Sequence, residues 1–173
     1  MKKRKILGID YGDFSIGLAI FDLETDFIYP YKTIFRAKAN VLRKSIREIV
    51  EVVKVENVTD IVIGLPLNAD GTEGERVEKV KTFAKSLASH LANCEGEPVQ
   101  NCMGELREPS NRRGEHCEPG ALIPITFQDE RLTTVEAKTI LQERGIKKTE
   151  WKKNIDQIAA ELVLADYKQL NKL

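Results

Sequence analysis

The sequence predicts an α/β fold in which a mixed sheet carries helices on both faces. Three observations predict it. Two short apolar runs, Ile6 to Asp10 and Ile16 to Phe21, bracket Gly12 like the arms of a β-hairpin. From Val41 onward, segments of helical spacing alternate with short apolar runs, as strands joined by helices do. Asp60 to Leu65 holds Ile61, Val62, Ile63 and Leu65 without polar alternation, the pattern of a strand covered on both faces.

Each element follows in order. The first hairpin turns through Tyr11-Gly12-Asp13-Phe14-Ser15, and a third strand lies within Phe27 to Phe35. Val41 to Val55 places Leu42, Ile46, Ile49, Val50 and Val53 on one helical face. After the Asp60 to Leu65 strand comes a turn-rich loop, Pro66 to Thr72, and Thr72 with Glu75 fits a capping box opening the next helix. In that helix Val77, Val80, Ala84, Leu87 and Leu91 recur at steps of three and four. Ile123 to Asp129 is expected as a strand. Thr133 with Glu136 repeats the capping pattern, and Gly145 marks a helix stop. The last helix, Ile155 to Leu170, is apolar on most sides and therefore expected against the sheet.

The 173 residues suit one domain with a substantial core. Hydrophobic residues at 42% and charged residues at 31% exclude collagen-like, wholly disordered and disulfide-stapled chains. No apolar run is long enough for a membrane helix, and Gly8, Asp10 and Gly12 interrupt the first one too early for a signal peptide. Three cysteines, an odd number, suit a reducing compartment, and a cytoplasmic location is expected.

The 27 basic and 27 acidic residues balance, so the whole chain offers no broad basic footprint for nucleic acid. Residues 93–122 carry three basic and six acidic residues, leaving 24 against 21 elsewhere, a net of +3. The same segment holds four of the 11 glycines, three of the six prolines and all three cysteines, with almost no periodicity. It is expected to be a flexible insert between a helix and a strand. Cys94, Cys102, Cys117 and His116, with His90, invite a metal knuckle, but the paired C-x-x-C spacing of zinc sites is missing and ordinary loop cysteines are the better account.

Three acidic positions stand out. Asp10 ends an apolar strand between Gly8 and Gly12, where a charge is costly unless solvated, paired or bound to a metal; an aspartate shaping the hairpin turn is the plainer alternative. Asp129-Glu130-Arg131-Leu132-Thr133-Thr134 sets two carboxylates, a guanidinium and two hydroxyls where a strand leads into a helix N-terminus, a place suited to phosphate or a hard cation. Pairing of the acids with Arg131 is the alternative, and strand alternation keeps Asp129 and Glu130 from sharing one pocket. Asp156 begins a stripe continued by Ala160 and Val163, as a site residue would, or as an aspartate favoured by the helix dipole would. Ahead of that helix, Lys147, Lys148, Lys152 and Lys153 flank Trp151 as a basic strip for a nucleic-acid backbone, or as a solvated turn.

Four strings occur in series: Gly8-Ile9-Asp10-Tyr11-Gly12 with Ile16-Gly17; Gly64-Leu65-Pro66-Leu67-Asn68 with Asp70-Gly71-Thr72-Glu73-Gly74; Asp129 to Thr134; and Ile155-Asp156-Gln157-Ile158-Ala159-Ala160. This series closely resembles the YqgF (RuvX) family of bacterial RNase H-like proteins, described as Holliday junction resolvases and pre-16S rRNA nucleases. The resemblance implies a single RNase H-like domain over residues 1–173, with a five-stranded sheet in the order 3-2-1-4-5. It implies that Asp10, Glu130 and Asp156 are catalytic carboxylates holding Mg²⁺ or Mn²⁺, with Asp129 the alternative to Glu130. The chemistry implied is phosphodiester hydrolysis on nucleic acid, either precursor rRNA or branched DNA, with Asn68, Thr72, Arg131 and Thr134 contacting backbone phosphates.

Two features depart from the family. Family members often carry a basic residue in the first turn, where this chain has Asp13-Phe14-Ser15, and their link between the second and third motifs is usually shorter than here. From a different class, a non-catalytic module binding nucleic acid or a ribosome-assembly factor fits the neutral charge. An actin-like ATPase, which shares an early Asp-x-Gly turn, needs a longer chain for its two lobes.

Overall fold

A computed structural model describes residues 4–36, 42–68, 71–93, 123–130, 133–143, 145 and 147–173. The elements are β1 (Lys5–Tyr11), β2 (Ser15–Asp22), β3 (Phe27–Phe35), α1 (Leu42–Glu56), β4 (Val58–Leu65), α2 (Glu75–Asn93), β5 (Ile125–Asp129), α3 (Thr133–Glu143) and α4 (Lys148–Asn171). This is the order the sequence predicts. The five strands form one sheet in the order β3-β2-β1-β4-β5. β2 runs antiparallel to both β1 and β3, whereas β1–β4 and β4–β5 are parallel.

The sheet is covered on both faces. Along β1 and β2 the side chains alternate, as strand geometry requires. Leu7, Ile9, Ile16, Leu18 and Ile20 point to one face and pack with Ile46, Ile49 and Val53 of α1 and Val80, Phe83 and Leu87 of α2. Ile6, Ala19, Phe21 and Val62 point to the other, against Ala160, Val163 and Leu164 of α4. α3 adds a small cluster beyond the sheet, in which Ala137 and Leu141 meet Ile158.

The α4 face is the thinner one, and a glycine makes it so. A Cβ at Gly8 would lie 2.5 Å from Leu164 Cγ and 2.9 Å from the Ala160 carbonyl oxygen, so only glycine lets the helix backbone settle this low.

Local signals decided most boundaries, with two exceptions. α2 begins at Glu75, not next to Thr72; Thr72 sits in the preceding loop, where its Oγ1 accepts a 2.9 Å hydrogen bond from Asn68 Nδ2. That loop is closed by its own backbone, with Asn68 N–H donating to the Thr72 carbonyl at 2.9 Å and Gly71 at φ 83°. The last helix also starts earlier than its apolar stripe. Trp151 lies inside α4 and packs with the α3 cluster, so the basic strip expected ahead of the helix is its first turns. Gly145 does end α3, at φ 68°. The cysteine-rich stretch, and with it any knuckle of Cys94, Cys102, Cys117 and His116, lies outside the described residues. His90 Nδ1 stands 2.8 Å from the Ser86 carbonyl oxygen within α2.

Candidate active site

Asp10 is the last residue but one of β1, and alternation from Ile6 and Gly8 turns it to the α4 face. Its register partner on β2 is Gly17. Gly17 lies directly beneath α4, because a Cβ there would run into the carbonyl group of Asp156. One glycine therefore brings the backbone of Asp156 down beside Asp10. The side chain of Asp156 accepts a hydrogen bond from Ser15, on the same face of β2.

The choice between Asp129 and Glu130 is made by the sheet. Ile125 packs with the α1/α2 core, so alternation along β5 sends Phe127 and Asp129 toward that side and Glu130 to the other. The ladder continues past the strand end, with Glu130 N–H donating to the Leu65 carbonyl at 3.2 Å. Its carboxylate lies over Gly64 of β4, where any Cβ would collide with Oε2. Asp10, Glu130 and Asp156 thus share one face, on neighbouring elements, over a floor of glycines.

Proximity and burial set the charge state. Burial pushes the Asp10 carboxyl up to about 7, the Asp156 charge adds to the rise, and Arg76 opposes it. Glu130 is pushed up to about 8, first by burial and then by Asp10, again with Arg76 opposing and Asp129 adding. Asp156 is raised by burial and pulled back by the Ser15 hydroxyl. Burial and crowding thus favour the protonated forms of these acids, and a cation would displace those protons.

The donors are all carboxylate oxygens, the set that hard divalent cations such as Mg²⁺ take, and their mutual repulsion is what such an ion relieves. In donor chemistry the residues fit the ion. No three of the described His, Cys, Asp or Glu side chains close on a single point as in a finished metal cage.

Two residues of this site carried no pattern in the sequence. Ser15 is one hydroxyl in a turn, and Arg76 one arginine in the first turn of α2. Each acquires meaning only once β2 and α2 are set beside β1. Of the four expected phosphate contacts, Asn68 and Thr72 are exposed in the loop after β4 and bonded to each other. Arg131 and the side chain of Thr134 lie outside the described residues.

A five-stranded sheet in this order, with helices on both faces and acids on the α4 face, defines an RNase H-like protein. A family model, RuvX, described as Holliday junction resolvase, matches residues 4–102 and 96–169, and the chain belongs to that family. A protein of Lachnospira eligens named "Putative pre-16S rRNA nuclease" is 33% identical over 163 residues, covering 94% of this chain and 95% of its own. A protein of Chloroflexus aggregans with the same name is 32% identical over 167 residues, covering 96% and 94%. Among solved structures, Thermus thermophilus RuvC matches with a TM-score of 0.52 at 12% identity. RuvC in complex with a Holliday junction substrate matches with 0.51, also at 12%, and each comparison covers 96% of both chains, a likeness of fold. Among the described residues no helix is long and apolar enough to cross a membrane.

Proposed function

We propose that this chain is a divalent-metal-dependent nuclease that hydrolyses phosphodiester bonds in structured nucleic acid, acting at the 5′ end of precursor 16S rRNA. The observation that carries it is the convergence of Asp10, Glu130 and Asp156 on one glycine-floored face, within electrostatic reach of one another. The shared name of the relatives supports the rRNA substrate.

Asp10, Glu130 and Asp156 would hold Mg²⁺ or Mn²⁺. When bound, such ions supply an activated water and stabilise the leaving oxygen of the cleaved ester. Ser15 orients Asp156 by hydrogen bonding, which keeps that carboxylate aimed into the site. Arg76 offsets part of the negative potential that a phosphodiester meets on approach. Asn68, Thr72, Arg131 and Thr134 contact backbone phosphates and set the register of the strand. The enzyme works in the cytoplasm, as its cysteine content suits a reducing compartment.

Branched DNA is the second substrate, favoured by the family's description as Holliday junction resolvase. Incubating the purified protein with precursor 16S rRNA and with a four-way junction, with and without Mg²⁺, separates the two. Metal-dependent cutting of the rRNA, lost in Asp10→Asn with the fold retained, is expected. Unchanged cutting by that variant overturns the assignment.

A further inference from the structure

α2 begins at the sheet edge that carries the acids. β1, β4 and β5 run parallel, so Asp10, near the end of β1, and Glu130, just after β5, lie at one edge. The loop after β4 leads from that edge directly into α2. The helix is seated further along, where Val80 is buried in the core and Phe83 stacks 4.5 Å from Tyr11, the last residue of β1. Arg76 precedes Val80 by four residues and Phe83 by seven, so the three share one stripe of the helix. Seven residues of helix set Arg76 roughly 10 Å beyond Phe83, past the end of β1. Helical side chains lean toward the N-terminus, which carries the guanidinium further out along the same edge. A second contact fixes this end of α2 independently: Lys79 Nζ stands 3.9 Å from Asp13, in the turn that follows β1.

The other cations of this stretch are already paired. Lys79 Nζ lies 3.0 Å from Glu75, and Lys81 pairs with Glu73. Arg76 is exposed and takes part in no ion pair among the described residues. Its charge is nonetheless felt by both Asp10 and Glu130. It is therefore close enough to act on the acids without being spent on either of them. A cation held by those carboxylates would cancel their pull on Arg76 and repel it. What then remains for the guanidinium is an anion arriving from solvent, and its planar fork matches two oxygens of a phosphate.

We infer that Arg76 is a catalytic residue, its guanidinium gripping the non-bridging oxygens of the phosphodiester that is brought against Asp10 and Glu130. The inference rests on the nuclease reading above and adds the group that meets the scissile phosphate from the protein side. Negative charge builds on those oxygens during hydrolysis, so a fork already in place stabilises the transition state more than the bound ester. The same charge opposes the metal, so Arg76 weakens cation binding while it strengthens phosphate binding.

Arg76→Gln in the intact protein tests this through three readouts. Cleavage of precursor 16S rRNA or the four-way junction should fall on the order of 10²-fold. Binding of the same nucleic acid, with a chelator present so that nothing is cut, should lose about one unit of its salt slope. Mg²⁺ affinity, measured by calorimetry without nucleic acid, should rise about 2- to 5-fold because a repelling charge is gone. A merely structural role would weaken metal and phosphate binding together, so the opposite signs carry the test. Arg76→Lys should return the Mg²⁺ affinity to the wild-type value and restore only part of the cleavage, since an ammonium lacks the fork. Lys81→Gln, the same loss of charge on the same helix, should change none of the three. Arg76 is exposed, so unchanged melting checks that its variants fold. Wild-type cleavage, salt slope and Mg²⁺ affinity in Arg76→Gln overturn the assignment, as do equal effects from Lys81→Gln. Equal cutting by wild type and Arg76→Gln removes the role of Arg76 and keeps the nuclease. A reduced salt slope in the variant, with no cutting by the wild type, keeps the phosphate contact and removes the nuclease.

Discussion

The two faces of one sheet have been put to different uses. On the α1/α2 face, Leu7, Ile9, Ile16, Leu18, Ile61 and Ile63 fill the space beneath two helices with branched side chains. On the α4 face the matching positions are Gly8, Asp10, Gly17 and Gly64, and a single helix lies almost on the strands. Bulk holds the first face together by buried area. The second gives up that area so that carboxylates from β1, α4 and the residue after β5 can meet. Core packing and the candidate site are thus divided by strand alternation, which lets neighbouring residues such as Ile9 and Asp10 serve opposite sides.

Replacing Asp10 by Asn is the strongest way to sharpen that division. Cleavage should fall on the order of 10³-fold or more, while the melting temperature of the metal-free protein stays level or rises, since a costly buried charge is gone. A drop in stability equal to the drop in activity would contradict it.

A paired substitution tests the faces directly. Leu18→Ala leaves a cavity in the α1/α2 core and should cost about 2–5 kcal/mol in denaturant melts, with cleavage per folded molecule retained. Its neighbour Gly17→Ala should cost about 2–3 kcal/mol by lifting α4 and should remove cleavage, because Asp156 moves with the helix. If both variants cut equally well, the faces are not functionally distinct.

The pH dependence of stability follows from the raised carboxyls. Below about pH 4 these groups are protonated in the folded and unfolded chain alike, so they contribute nothing. As pH climbs, the unfolded chain loses its protons first and the folded one retains them until about 7 for Asp10 and about 8 for Glu130. The native state therefore binds more protons across this window, and its stability falls as pH rises through it. Without metal, the melting temperature should drop by roughly 5–10 °C between pH 5 and pH 8, and less in Asp10→Asn. Saturating Mg²⁺ should reverse the drop with release of protons, readable in a weakly buffered titration. A flat profile in the wild type would show that the acids are not crowded.

The smallest effect is expected for Ser15→Ala. Loss of the hydroxyl lets the Asp156 carboxyl rise further and weakens its hold on orientation, so the apparent Mg²⁺ affinity should fall roughly tenfold, measured by calorimetry, with melting little changed.

Much of this architecture was legible in the residues. The helix stripes of α1 and α2, the continuous apolar run of β4 and the stop at Gly145 each depend on neighbours a few places apart, and each is found as predicted. The errors are also local. Thr72 has the right spacing for a cap, but a side-chain bond to Asn68 competed for its hydroxyl. Phe83, fully buried and stacked on Tyr11, does not fall among the five positions that define the α2 stripe, and its importance comes from a ring on another strand.

By itself the sequence determined the elements and their order, because propensity and periodicity act over one or two turns of chain, and it supplied the candidate acids through their motifs. Tertiary structure decided which of Asp129 and Glu130 faces the cluster, since that depends on the β4–β5 register and the side on which Ile125 is buried. It also recruited Ser15 and Arg76. Those two become neighbours of the site only when segments distant along the chain are pressed together, and the energy that does so is packing spread over the whole core and not written at either of them.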